Sequence, residues 1–396
     1  MMINIVDKEK EERIPPILRL GFRPLFLLAG IYAVFSICTW VWLFTSGSQS
    51  PLNVPAIWWH AHEMLFGVAM AVVAGFLMTA VQTWTGVKGT SGGRLAFIVM
   101  LWIAARVLFW TDTPLSIIAL VDTAFLVLTG WEVGYRVVIT KRWRNLFFIP
   151  MLLVAISANL ASYATVKGMP PFSANALWQA MLWWFMILIS IMGGRVIPFF
   201  TAKRFQLEAP KPILWLEMLA ILPLVMLAVI SFFPLVPTWF NASLLWVAGI
   251  AQCIRLYRWQ GVRSFGEPLV WSLHLFYLAL PVGLIAKALY IGNAWISHSL
   301  IHLFAMGTLA GVVLAMIARV SMGHTGRAIY QGPSFSFAYF SLVLATLVRV
   351  LGPIVWPEHL QTWVVIAGIG WSMAFGGFVV CFGPMLIKAR VDGHPG

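Results

Sequence analysis

Residues 62–86, HEMLFGVAMAVVAGFLMTAVQTWTG, and residues 302–326, HLFAMGTLAGVVLAMIARVSMGHTG, are equal in length, open on a histidine and close on Thr-Gly. They align without a gap: Gly67 with Gly307, Val72-Val73 with Val312-Val313, and Thr85-Gly86 with Thr325-Gly326. Each is long and apolar enough for a membrane helix. The chain therefore reads as repeating a membrane helix that begins with histidine. Downstream, Arg106-Val107-Leu108 answers Arg349-Val350-Leu351, so the repeat-related units cover about 57–115 and 297–357. Two histidines entering a bilayer from the same side on related helices suit a metal or a haem held between them.

A fainter third copy lies between these two. Trp178 stands where the histidines stand, Thr201 lies at the same distance, and Arg195-Val196 aligns with Arg319-Val320. The three copies are four apolar segments apart, which predicts a three-times-four helix arrangement.

Composition sets the class. Of 396 residues, 61% are hydrophobic and 10% charged, whereas a soluble domain is about half apolar and a quarter charged. The expectation is an all-α integral membrane protein, a single polytopic domain over 1–396. Twelve spans are expected, roughly 25–45, 61–83, 95–111, 114–137, 146–166, 175–200, 212–233, 237–257, 268–291, 297–320, 335–356 and 362–387. The start, MMINIVDKEKEERIPP, is polar and carries no apolar signal core. Cys38, Cys253 and Cys381 lie singly in apolar runs, and no CxxC or CxxCH occurs, which argues against covalent haem and cysteine-held zinc.

The net charge of +13 reads as cytoplasmic loop charge, not as a nucleic-acid surface. Alternate connections carry Lys88 and Arg94; Arg136, Lys141, Arg142 and Arg144; Lys203, Arg204 and Lys211; Arg255, Arg258 and Arg263; Arg327; and Lys388 with Arg390. The opposite connections carry little beyond Lys167 and Lys287. This bias predicts a bacterial inner membrane protein with both termini cytoplasmic and residues 1–24 as a cytoplasmic N-terminal segment.

His60, His62, His298 and His302 then lie at the outer face. His298 and His302 are four apart and share a helix face, whereas His60 and His62 point to opposite sides. A lone histidine is at home at the interface; four on two repeat-related helices read as a metal or haem site. Glu63 is either an acid that orients an imidazole or a solvated helix-start acid. Arg106 and Arg349 are costly in a bilayer. They pair either with haem propionates or, as salt bridges, with Glu63, Asp112 or Asp122. A cytoplasmic set contains Arg195, His274, Arg319 and His324, read as a proton or anion route, a second metal or haem site, or simple helix capping.

Four stretches together resemble one family: Trp59-His60-Ala61-His62-Glu63-Met64-Leu65-Phe66-Gly67 running on to Trp84-Thr85-Gly86; Gly193-Gly194-Arg195 through Thr201; Ala318-Arg319-Val320-Ser321 through Gly323-His324-Thr325-Gly326-Arg327; and Leu18-Arg19-Leu20-Gly21-Phe22-Arg23-Pro24. They look like the NnrS family of bacterial membrane proteins. The resemblance implies twelve spans, haem b, copper and a part in the bacterial response to nitric oxide. The three-times-four pattern is also similar to the catalytic subunit of haem-copper oxidases, but the histidines that such enzymes bring from spans six and seven are absent here. Three readings follow. One is a haem protein that senses, removes or reduces nitric oxide or a nitrosyl-metal species, with His62 and His302 on the haem and His60, His298 and His324 as further metal candidates. The second is an oxidoreductase taking electrons from quinol or a periplasmic cytochrome. The third is a transporter of a metal ion or an anion.

Overall fold

The computed structural model describes residues 8–47, 50–169, 172–233 and 235–394, and all regular structure among them is helical. The first seven residues of the 1–24 segment lie outside the described residues. Nine helices among the described residues are long and apolar enough to cross a membrane: α1 (Phe22–Ser46), α2 (Ala56–Thr85), α4 (Leu115–Ile139), α5 (Trp143–Val166), α6 (Ala174–Phe205), α9 (Pro268–Leu289), α10 (Ala294–His324), α11 (Ser336–Val355) and α12 (Pro357–Leu386). This is a multi-pass membrane protein.

The other three expected spans are helical but weaker candidates. Both α3 (Gly92–Leu108) and α7 (Leu214–Ile230) have 17 residues, about 26 Å at 1.5 Å per residue against a hydrocarbon core of about 30 Å. The third, α8 (Thr238–Arg258), is longer but carries Asn241, Ser243, Gln252, Arg255 and Arg258.

The two histidine-led helices deviate from α geometry at the same place. In α2 the segment Glu63–Ala69, directly after His62, is π-helical. In α10 the segment Leu303–Ala310, directly after His302, is π-helical as well. Their ends match too. Thr85 Oγ1 donates to the Val81 carbonyl and Thr325 Oγ1 to the Ser321 carbonyl, each at 2.6 Å. Gly86 and Gly326 follow with φ of 72° and 75°, the left-handed conformation that glycine adopts without a Cβ penalty. The middle copy keeps only part of this. Thr201 Oγ1 donates to the Ile197 carbonyl at 2.9 Å, but α6 is α-helical throughout.

The chain divides into two compact units: Met1–Ala174 with Arg319–Gly332 and Phe378–Gly396, and Asn175–Ala318 with Pro333–Gly377. In the first, α1 and α2 pack through small residues. A Cβ at Gly75 would lie 3.0 Å from Leu25 Cβ and 3.2 Å from the Phe26 ring. Such close approach is how membrane helices gain contact without a hydrophobic driving force between them. Arg23 is buried, and its Nη1 donates to the carbonyls of Leu386 (3.0 Å) and Lys388 (2.7 Å), capping the end of α12. In the second unit, α10 packs closely on α9: a Cβ at Gly283 would lie 2.9 Å from the Phe304 ring, and one at Gly307 would lie 2.9 Å from Ala279 Cβ.

Gly75→Leu is expected to lower the melting temperature of the detergent-purified protein, at a cost of about 1–3 kcal/mol from overpacking. Gly93→Ala, where a Cβ meets nothing within 4 Å, should leave the melting temperature unchanged or raise it. Equal behaviour of the two variants would refute the close crossing of α1 and α2.

Candidate functional site

His62, on the last turn of α2 before its π segment, is fully buried in the first unit. Its Nδ1 lies 2.7 Å from Glu63 Oε1. Its Nε2 lies 2.9 Å from Asn159 Oδ1 and 3.4 Å from Asp122 Oδ2. Glu63 and Asp122 are joined by Arg106, whose Nε meets Glu63 Oε2 at 3.1 Å and whose Nη1 meets Asp122 Oδ1 at 2.6 Å. The hydroxyl of Tyr32 donates to Glu63 Oε2 at 2.6 Å, and that of Tyr163 to Asp122 Oδ2 at 3.1 Å. All five helices of this unit's N-terminal run contribute: Tyr32 from α1, His62 and Glu63 from α2, Arg106 from α3, Asp122 from α4, Asn159 and Tyr163 from α5.

The local structure explains the placement. Gly67 stands four residues after Glu63, and a Cβ there would lie 2.7 Å from Glu63 Oε2, so glycine leaves room for the carboxylate. A π turn leaves carbonyls short of their usual partners. The Gly67 carbonyl is taken by the indole of Trp102 at 3.0 Å, and Arg106 follows one turn later on α3. Trp58 stacks on the His62 ring at 4.6 Å and 13°. Asn159 Nδ2 donates to Thr123 Oγ1 at 3.2 Å, which turns its oxygen toward His62. Both ring nitrogens then face oxygen acceptors and both must donate, as an imidazolium does. With His62 charged, the two carboxylates balance Arg106 and His62. Charge balance of this kind is what keeps buried charge tolerable in an apolar medium.

Within this unit Arg106 forms salt bridges with Glu63 and Asp122, and Glu63 Oε1 lies against the His62 imidazole. His62 in this arrangement has both nitrogens engaged, so ligation through it requires Asn159 or Glu63 to let go. His60 points away from His62, as their spacing predicts, and its ring stacks on Trp40 of α1 at 4.4 Å and 19°.

The same unit holds Arg319 and His324. Arg319 is buried, donates from Nη2 to the Tyr330 hydroxyl at 3.1 Å and lies over that ring. The His324 ring lies 5.4 Å from Phe22, and its carbonyl accepts from Arg390 Nη1 at 3.2 Å. Arg390 clasps Asp392 at 2.6 Å, and this hydrogen bond holds the Asp392 carboxyl down to about 2.

In the second unit, His298 is exposed and His302 half-buried on α10, with Lys287 of α9 and Arg349 of α11 both half-buried. Lys287 Nζ donates to Ser297 Oγ at 2.8 Å. His274 is buried on α9, its Nε2 2.8 Å from Thr201 Oγ1. Because Thr201 gives its own proton to Ile197, His274 donates here, and its Nδ1 is left against Gly261 with no hydrogen-bond partner. Arg195 is exposed on α6. Among the described residues, no group of three His, Cys, Asp or Glu side chains is placed to hold a metal ion.

Three features were not visible in the residue pattern. Asn159 and Tyr163 complete the His62 cluster; their only signal is an i, i+4 pair of polar residues within an apolar run. Tyr32 carries no such signal. Arg255, counted as a loop charge, is 1% exposed. It donates to Ser190 Oγ, Gln252 Oε1 and the Tyr277 hydroxyl at 2.8 Å each and pairs with Glu217 at 2.9 Å. Its Nη2 lies against Gly194, where a Cβ would overlap it, which accounts for one glycine of the Gly193-Gly194 pair.

Arg106→Ala should cost about 3–5 kcal/mol, because it leaves two buried acids, Glu63 and Asp122, with only His62 to balance them. The double variant Arg106→Gln with Asp122→Asn should recover part of that loss in melting experiments. Strict additivity of the single variants would show that the two side chains do not act as a pair.

The chain matches the family described as NnrS protein over residues 16–390, nearly its whole length. No match is found among curated proteins.

Proposed function

The chain belongs to the NnrS family, and from that premise we propose that it is a haem b protein of the bacterial inner membrane that meets nitric oxide. Membership supports a part in the nitric oxide response. The observation that supports a cofactor is the placement of a histidine directly before a π-helical turn in both α2 and α10. Such turns concentrate at functional sites, and chance gives no reason for two copies to share one at the same register.

The donor sets of the two units differ in how they suit haem iron. In the first, His62 is held on both nitrogens. In the second, His298 and His302 lie one turn apart on α10. These imidazoles are the ones that fit. His302 would hold the iron with His298 nearby, and haem would supply affinity for nitric oxide. For copper, the soft donors nearest these imidazoles in sequence are Met306, one turn beyond His302, and the histidines themselves. The same reading includes twelve spans in a three-times-four arrangement, and electron supply from quinol or a cytochrome if nitric oxide is reduced.

A reduced-minus-oxidised spectrum of detergent-purified protein from haem-replete cells tests this. Sharp b-type bands that shift with nitric oxide are expected. His302→Ala should lose them while keeping its melting temperature, whereas His62→Ala should lose stability first. Haem-free protein that moves a metal ion or anion into proteoliposomes would overturn the reading in favour of a transporter.

Topology has its own test. The charge bias predicts that a fluorescent protein fused after Gly396 glows and that alkaline phosphatase fused after Lys167 is active. The reverse pattern would place both termini outside.

A further inference from the structure

Arg349 is the repeat counterpart of Arg106, yet its surroundings are not. Arg106 is met by Glu63 and Asp122. The position that matches Glu63 in the second copy is Leu303. Among the described residues Arg349 makes no hydrogen bond or ion pair, although it is half-buried in a membrane helix. A guanidinium there normally has a counter-charge.

Two hydrogen bonds bring a second cation, Lys287, and the His298 imidazole into its neighbourhood. Trp295 Nε1 donates to the Pro353 carbonyl at 2.8 Å, which fixes the start of α10 against α11 one turn from Arg349. Lys287 Nζ spends two donors on Ser297, at 2.8 Å to Oγ and 3.3 Å to the carbonyl, and keeps a third. His298 follows Ser297, and the charges of Arg349 and Lys287 both bear on its ring. The acids of this unit are Glu208, Glu217, Glu267 and Glu358. Glu217 is held by Arg255 and Glu267 by Arg204, each at 2.9 Å, and the exposed Glu358 lies 3.8 Å from His359. None of the four makes an ion pair with Lys287 or Arg349.

We infer that Lys287, His298 and Arg349 form a binding site for an oxyanion, a carboxylate or phosphate group brought by a ligand. A haem propionate and a phospholipid headgroup both carry such a group. The propionate arm rests on the haem reading above; the headgroup arm does not.

The test uses the full chain in detergent, as wild type, Lys287→Gln, Arg349→Gln and the charge-keeping Arg349→Lys. Haem-depleted protein is titrated with haemin and with haemin dimethyl ester, whose carboxylates are blocked, and retained phosphatidylglycerol is counted by native mass spectrometry. A propionate site predicts that wild type prefers haemin over the ester by roughly tenfold, about 1.4 kcal/mol. The Gln variants should lose that preference and Arg349→Lys should keep most of it. A headgroup site predicts no such preference, but lipid that stays on wild type and Arg349→Lys and leaves with the Gln variants. If neither ligand distinguishes wild type from the Gln variants, the site is refuted. If neither form of haem binds at all, the haem reading falls while the lipid count still decides this one.

Discussion

A guanidinium surrounded by apolar helices has to be met by oxygen atoms, and the first unit is arranged around that demand. Arg106 reaches Glu63, Asp122 and the Trp102 carbonyl. Each carboxylate in turn takes a tyrosine hydroxyl and faces one side of His62. No member can be removed without leaving another charge bare in a medium that cannot solvate it. Five helices are thereby tied to one polar centre. Arg255 plays the comparable part in the second unit, drawing Ser190, Glu217, Gln252 and Tyr277 together.

The π segments matter for the same reason. Inserting one residue into a helical turn shifts the following side chains and loosens carbonyls, which is a local loss. In α2 that loss is offset: the Gly67 carbonyl is bonded by Trp102, and the Glu63 carboxylate settles beside the glycine. The copy in α10 keeps the turn and the preceding histidine but not the acid. The same local geometry therefore stands in two different electrostatic settings. In the first unit the chain neutralises itself; in the second it leaves positive charge for a ligand to answer.

Charge counting along the sequence gave a consistent orientation, yet three of the counted arginines are interior residues. Arg136 is buried against Glu132, Arg255 sits in a polar core, and Arg390 is buried beside Asp392. Basic residues at helix ends serve topology and packing alike, because a long side chain folds inward as readily as it reaches the lipid surface. The Gly193-Gly194 pair shows the converse. Both glycines are sites of close packing, with Tyr277 against Gly193 and Arg255 against Gly194.

The sequence by itself determined the class, the positions of nine apolar helices, the matched spacing after His62 and His302, and the family. These follow from local quantities: hydropathy over a bilayer-length window, fixed spacing, and glycine where a helix must end left-handed. Only the tertiary structure decided which charges meet. Asn159, Tyr163 and Tyr32 join His62 from three other helices, and Arg106 finds two acids where Arg349 finds none. Such partnerships depend on how helices distant in sequence rotate toward one another, and apolar sequence that is hydrophobic on all sides carries no periodic signal of that rotation.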